Sequence, residues 1–214
     1  MRKTILIISL SLNGIAALLI VGRQAYRAYF AKYGEYYYHQ TRRSMHDVLP
    51  VDSSDIIFIG DSIVEGLPVT ELFGRHVKNR GIGNNRTNHV LQRIRTLPRC
   101  RKLFISVGIN DITAGAALSR ILVNYDSIIT YAKADQIYVS AVLPTRGIHA
   151  IHRNRIINLN RKLIGLCRQR SVYFIDAHTR LSEDGILKSE YTIDGVHLNG
   201  TGYMVLMKIV SEFL

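Results

Sequence analysis

Two hydrophobic rhythms alternate along most of this chain. Short runs at 56–59, 77–79, 103–107, 137–142 and 172–175, each bounded by polar or turn residues, read as strands. Between them, Val90, Leu91, Ile94 and Leu97 recur at helical spacing, and so do Ile121, Leu122, Tyr125 and Ile128. A long helix is predicted over 154–170, and a last one over 201–214 turns Val205, Ile209 and Phe213 inward. Such alternation of strand and helix implies an α/β fold, a parallel sheet covered by helices on both faces. In sheets of this kind, binding and reacting groups gather beyond the carboxyl ends of the strands.

The first fifty residues follow another pattern. Residues 4–21 carry no charge and are interrupted only by polar Ser9, Ser11, Asn13 and Gly14. That length falls inside the roughly 17–25 residues of a membrane-spanning helix and exceeds the roughly 7–15 of a signal-peptide core. The expectation is an uncleaved N-terminal anchor or signal over 1–22, with a removed signal peptide and a buried soluble helix as the alternatives. Arg2 and Lys3 on one side nearly balance Arg23, Arg27 and Lys32 on the other, so flanking charge leaves orientation open. The bulk of the chain is expected outside the cytoplasm. Residues 23–52 read as a juxtamembrane helix and linker: Tyr26, Tyr29, Phe30, Tyr33 and Tyr37 form a stripe, read as packing on the main domain in preference to an interfacial belt. Pro50 and the polar Asp52-Ser53-Ser54 then mark a break, and the main domain is expected over 53–214.

Composition changes this picture little. The 214 residues are 47% hydrophobic, which describes a folded chain. A net charge of +12 favours anionic partners, but no RNA-binding motif or zinc finger accompanies it, and no nucleic-acid partner is expected. Cys100 and Cys167 read as buried small hydrophobes or a single disulfide. His149 and His152 have no further ligands at metal-site spacing, so no metal is expected.

The chemistry lies at the predicted strand ends. Gly60-Asp61-Ser62 follows the first strand, Asn79-Arg80-Gly81-Ile82-Gly83-Asn84-Asn85 the second, and Gly108-Ile109-Asn110-Asp111 the third; Asp194-Gly195-Val196-His197 precedes the last helix. A serine where a buried strand meets a helix start can present its hydroxyl and its own N–H in one direction; alternatively it is only a helix cap. Asp194 can orient and charge-balance the imidazole of His197, or form a turn beside a surface histidine. Asn110 can aim its amide at a developing oxyanion, or simply serve a turn.

Taken together and in this order, the four blocks resemble those of the SGNH/GDSL hydrolases, over roughly residue 55 to the C-terminus. The resemblance implies a three-layer α/β/α flavodoxin-like fold with a five-stranded parallel sheet, here preceded by the expected membrane helix. It also implies Ser62 as nucleophile, His197 as its base and Asp194 as the group orienting His197. The oxyanion hole would combine the Ser62 N–H, the Asn110 amide and a backbone N–H of the second block. That donor aligns with Asn84, where the family usually has glycine; Gly83 is the alternative.

The implied reaction is ester hydrolysis through an acyl-enzyme, without a cofactor. A domain of this size has little room for a lid or tunnel, which favours short acyl esters, acetyl above all, on carbohydrates or cell-envelope glycans. The basic segment Arg146, His149, His152, Arg153 and Arg155 follows the fourth strand and could draw an anionic substrate, or be a solvated helix start. A lysophospholipase or thioesterase for longer chains is the alternative, and a catalytically silent binding module on the same fold is the alternative of another class.

Overall fold

A computed structural model describes the backbone of residues 2–214 and the side chains of residues 13–30 and 33–214. The chain divides into two units, Met1–Met45 and His46–Leu214. The first belongs to one helix, α1 (Arg2–Val48). Along it Tyr26 and Phe30 have ring centroids 4.3 Å apart and Tyr29 and Tyr33 4.2 Å apart, the contact expected of residues four apart on a helix. These rings do not form a buried face: Tyr26, Tyr29, Phe30 and Tyr37 are all more than half exposed.

The expected membrane anchor requires correction. Among the described residues no helix is long and apolar enough to cross a membrane. The side chains of residues 4–12, half of the anticipated span, lie outside the described residues. The location inferred from that anchor, membrane-attached with the catalytic part outside the cytoplasm, is withdrawn with it.

The second unit is built on five strands. In chain order they and their helices are β1 (Ile56–Gly60), α2 (Ser62–Glu65), α3 (Val69–Phe73), β2 (Val77–Gly81), α4 (Thr87–Ile94), β3 (Cys100–Ser106), α5 (Ile109–Thr113), α6 (Leu118–Tyr131) and β4 (Ala134–Ser140). A 3-10 turn (Gly147–His152), α7 (Arg153–Gln169), β5 (Tyr173–Ile175) and α8 (Ala177–Leu181) follow. The chain ends in a small hairpin, β6 (Ser182–Glu183) and β7 (Ile186–Leu187), a second 3-10 turn (Ser189–Tyr191) and α9 (Gly200–Ser211). The sheet order is β2-β1-β3-β4-β5 with every pair parallel, as expected of the three-layer fold.

Strand alternation explains the layers. Ile57, Ile59, Leu103, Ile105 and Val139 face one way, into a core shared with Val90 and Ile94 of α4, Ile121 and Tyr125 of α6 and Leu159 of α7. Ile56, Phe58, Phe104 and Tyr138 face the other way, against Ile63 and Val64 of α2, Leu181 of α8 and Leu206 of α9. On that second face the register places Phe58 beside Phe104 and Phe104 beside Tyr138. Their rings stack at 4.5 Å and 4.6 Å.

The fourth strand ends two residues earlier than its apolar run predicts, and Asn160 supplies the reason. Its side chain accepts the Val142 N–H and donates to the Val142 carbonyl, both at 2.9 Å, in place of a neighbouring strand. Cys100 and Cys167 are free and buried in the first core, and burial pushes their thiols up to about 12 and about 11. They are the small hydrophobes of the first reading.

The stacked ring ladder is the most exacting part of this packing. Phe104→Ala, which removes its middle member, is expected to destabilise the protein by about 3–5 kcal/mol, read as a fall in the chemical-denaturation midpoint.

Candidate active site

The sheet register brings the polar blocks to one edge. Gly60 pairs with Gly81 on one side and with Ser106 on the other, so the loops after β1, β2 and β3 leave from adjacent points. Gly60 permits this closeness: a Cβ there would stand 1.9 Å from the Ser106 carbonyl oxygen.

Immediately beyond Gly60 the backbone turns into α2. Its N-cap is Asp61, whose Oδ1 accepts the Ile63 N–H at 3.0 Å. Capping therefore falls to Asp61, and the Ser62 hydroxyl is left for another partner. That partner is His197: Ser62 Oγ lies 3.0 Å from His197 Nε2, across 135 positions of sequence. On the far side of the ring, His197 Nδ1 lies 2.6 Å from Asp194 Oδ2. With the Nδ1–H donating to the carboxylate, Nε2 is the nitrogen that accepts the Ser62 O–H.

A local loop holds the histidine in place. Asp194 Oδ1 accepts the backbone N–H groups of Val196 and His197 at 2.9 and 2.8 Å. Buried Thr192 takes the Gly195 N–H on its hydroxyl oxygen and donates the hydroxyl to the His197 carbonyl. Gly195 adopts a φ of +86°, and a Cβ on it would strike the Arg146 carbonyl oxygen at 2.5 Å. The Arg146 N–H in turn donates to the Gly195 carbonyl at 2.8 Å, so the basic segment after β4 borders this loop.

The two acids at the site behave oppositely. Burial pushes the Asp61 carboxyl up to about 7; the Ile63 N–H and nearby His197 pull it down, and Asp111 adds to the rise. At Asp194 burial also pushes upward, but hydrogen bonds from the His197 ring and from two backbone N–H groups outweigh it. They hold that carboxyl well below the usual range.

The remaining predicted residues lie on the neighbouring loops. Asn110, in the first turn of α5, donates its side-chain amide to the Asn85 carbonyl at 3.1 Å, which joins the third-strand loop to the second. Behind it, buried Asp111 accepts both the N–H and the hydroxyl of Thr87, at 2.9 and 2.7 Å. Asn84 occupies the left-handed region with a φ of +56°, a conformation asparagine tolerates better than most residues. The Gly83 N–H is donated to Glu65 Oε2 at 2.9 Å, from the end of the helix that begins with Ser62. His149 and His152 sit on the 3-10 turn, and among the described residues no group of three or more histidine, cysteine or acidic side chains is arranged to hold a metal ion.

Three residues support the site in roles the sequence reading did not assign. Glu65 has just been described. Asn79 of β2 donates its amide toward the carbonyls of Val64, Glu65 and Leu67 and accepts the Gly81 N–H, fastening α2 to the second strand. Arg93, buried on α4, donates to the Arg80 and Gly60 carbonyls at 2.6 and 2.9 Å, clasping the ends of β2 and β1. One signal was available for Arg93: it lies on the apolar stripe of α4 between Val90 and Ile94, where a charge needs buried partners.

Residues 58–205 match the profile of the GDSL-like Lipase/Acylhydrolase family. The chain belongs to that family. It is 27% identical over 192 residues to the Homo sapiens platelet-activating factor acetylhydrolase IB subunit alpha1, covering 80% of this chain and 81% of that one. A solved structure from Streptococcus pneumonia, provisionally named a platelet activating factor, superposes with a TM-score of 0.78 at 26% identity, over 88% of this chain and 98% of that one. The acetylxylan esterase Axe2 of Geobacillus stearothermophilus shares the fold, with a TM-score of 0.63 at 17% identity over 76% of this chain and 94% of its own. The present GDSL-type hydrolase is thus an enzyme of the carboxylic ester hydrolase class.

The raised Asp61 carboxyl gives this hydrolase a pH signature. From its ordinary 3.8 upward the unfolded chain loses the Asp61 proton, while the folded protein keeps it to about 7. The unfolded state binds fewer protons in that window, so this group's contribution to stability falls between pH 4 and 7 and is level above. Asp61→Asn retains an acceptor for the Ile63 N–H and removes the titration. Melting temperatures across pH 4–8 are expected to show a smaller decline for the variant than for the wild type.

Proposed function

We infer that this hydrolase cleaves short-chain, acetyl-type esters of carbohydrates or cell-envelope glycans through an acyl-enzyme formed on Ser62. The observation that carries this reading is the continuous line of hydrogen bonds from Ser62 Oγ through His197 to Asp194. Residues 53–214 are taken as the hydrolase domain and 23–52 as a helical linker ahead of it.

In the proposed sequence His197 Nε2 accepts the Ser62 proton as Oγ attacks the ester carbonyl, and Asp194 stabilises the resulting imidazolium. The oxyanion forms against the Ser62 N–H, the Asn110 amide and a backbone N–H of the second loop. His197 then protonates the departing alcohol. Water, activated by the same ring, attacks the acyl-enzyme, and the acid leaves as Ser62 regains its proton.

For the third donor we keep the aligned Asn84, with Gly83 as the alternative. The Gly83 N–H is given to the Glu65 carboxylate. Glu65 acts here as a positioning residue, because fixing the Gly83 peptide fixes the one after it.

Two observations favour a short acyl group over the long chain of a lysophospholipase or thioesterase. The void bounded by Asp61, Ile63, Val107, Val142 and Thr145 holds only about 10 Å³, too little for a long acyl chain. In addition, the names of the curated relative and of the Geobacillus neighbour both refer to acetyl groups.

Ser62→Ala is expected to abolish turnover of p-nitrophenyl acetate with the melting temperature retained, and wild-type-like turnover would refute the assignment. Asn110→Ala is expected to lower kcat by on the order of 10²–10³, as loss of one oxyanion donor does. Glu65→Ala should lower kcat by roughly ten- to a hundredfold with KM little changed, whereas Glu65→Gln, which still offers an acceptor oxygen, should recover most of it. Equal loss in both Glu65 variants would remove the positioning role.

A further inference from the structure

The three most exposed large apolar side chains from residue 50 onward are Ile193, Ile148 and Ile151, at 92%, 86% and 82%. The next in that part of the chain, Val123 and Met204, are at 59%. Single exposed apolar residues are ordinary on protein surfaces. These three are not scattered. Ile193 immediately precedes Asp194, in the loop closed by pairing of Thr192 with Leu198. Ile148 and Ile151 lie on the 3-10 turn that starts after Arg146, and Arg146 is joined through its backbone to Gly195 of the same loop. All three isoleucines therefore ride on the two adjoining segments that carry and brace His197.

The void lined by Asp61 and Ile63, the chain neighbours of Ser62, holds about 10 Å³, too little for an apolar chain. An apolar part of a substrate is then better placed along the outer surface. We propose that Ile148, Ile151 and Ile193 form a substrate subsite that receives an alkyl chain on the alcohol side of the ester, making the preferred substrate an acetylated amphiphile whose polar, sugar-like alcohol continues into an apolar tail. This rests on the short-acyl reading above and adds to it the chemistry of the leaving group. In this arrangement the acyl group takes the enclosed side of the site and the alcohol leaves past the two segments that carry the isoleucines. Burial of alkyl surface against them is the attraction, and it acts on a single substrate molecule in solution.

The test compares the full-length protein on monoacetylated methyl glucoside and monoacetylated octyl glucoside, the latter kept below its critical micelle concentration, with p-nitrophenyl acetate as reference. The wild type is expected to favour the octyl substrate by about tenfold in kcat/KM, mainly through KM, the scale of one apolar pocket contact. Combined Ile148→Ser, Ile151→Ser and Ile193→Ser should bring the octyl-to-methyl ratio close to one, while Val123→Ser, at a remote exposed position, should leave it as in the wild type. Equal rates on the two glucosides in the wild type, or a preference that survives the triple substitution, would overturn the subsite. A preference seen only above the micelle concentration would overturn it too, in favour of an aggregate surface. Failure to hydrolyse p-nitrophenyl acetate as well as both glucosides would instead count against the short-acyl esterase reading itself.

Discussion

One contact gives the rest of this structure its functional meaning: the 3.0 Å approach of the Ser62 hydroxyl to the His197 ring. Neither residue is secured by the other. Ser62 is delivered by β1, which is buried between β2 and β3, and by the Asp61 cap that starts its helix. His197 is delivered by a five-residue loop hung on Thr192, Asp194 and the backbone of Arg146. Meeting within hydrogen-bond distance therefore requires the sheet, the last loop and the segment after β4 all to be correctly seated. Asn79, Arg93 and Glu65 serve that task by tying strand ends and loops together.

This division of labour accounts for the opposite electrostatics of the two acids. Asp61 is buried, serves a backbone N–H and is pushed toward neutrality, so it can hold the turn without placing a full negative charge beneath the serine. Asp194 is half exposed and receives three hydrogen bonds, so it remains a carboxylate and can balance an imidazolium. Exchanging the two environments would leave a charge where none is wanted and a neutral acid where a charge is needed.

Much of the fold was legible because strand and helix periodicities are local. The five strand positions, the stripes of α4 and α6 and the long α7 all emerge from spacing alone. The residues that meet at the candidate site were legible for a similar reason: Gly-Asp-Ser and Asp-x-x-His are short blocks contained in a few residues. What escaped were side chains whose partners are distant backbone atoms. Glu65 receives an N–H from a residue 18 positions away, and Arg93 reaches carbonyls on two different strands. Asn160, replacing a strand partner at Val142, likewise left no trace in hydropathy. The reading of residues 4–21 as an anchor is overturned by the described residues, among which no helix is long and apolar enough to cross a membrane.

The pairing of Ser62 with His197 is tested most directly by chemistry at the hydroxyl. A fluorophosphonate probe followed by intact-mass and peptide-mass analysis should give a single adduct on Ser62, formed much more slowly in His197→Asn at equal probe concentration. No adduct, an adduct at another residue, or an unchanged rate without the imidazole would contradict the account.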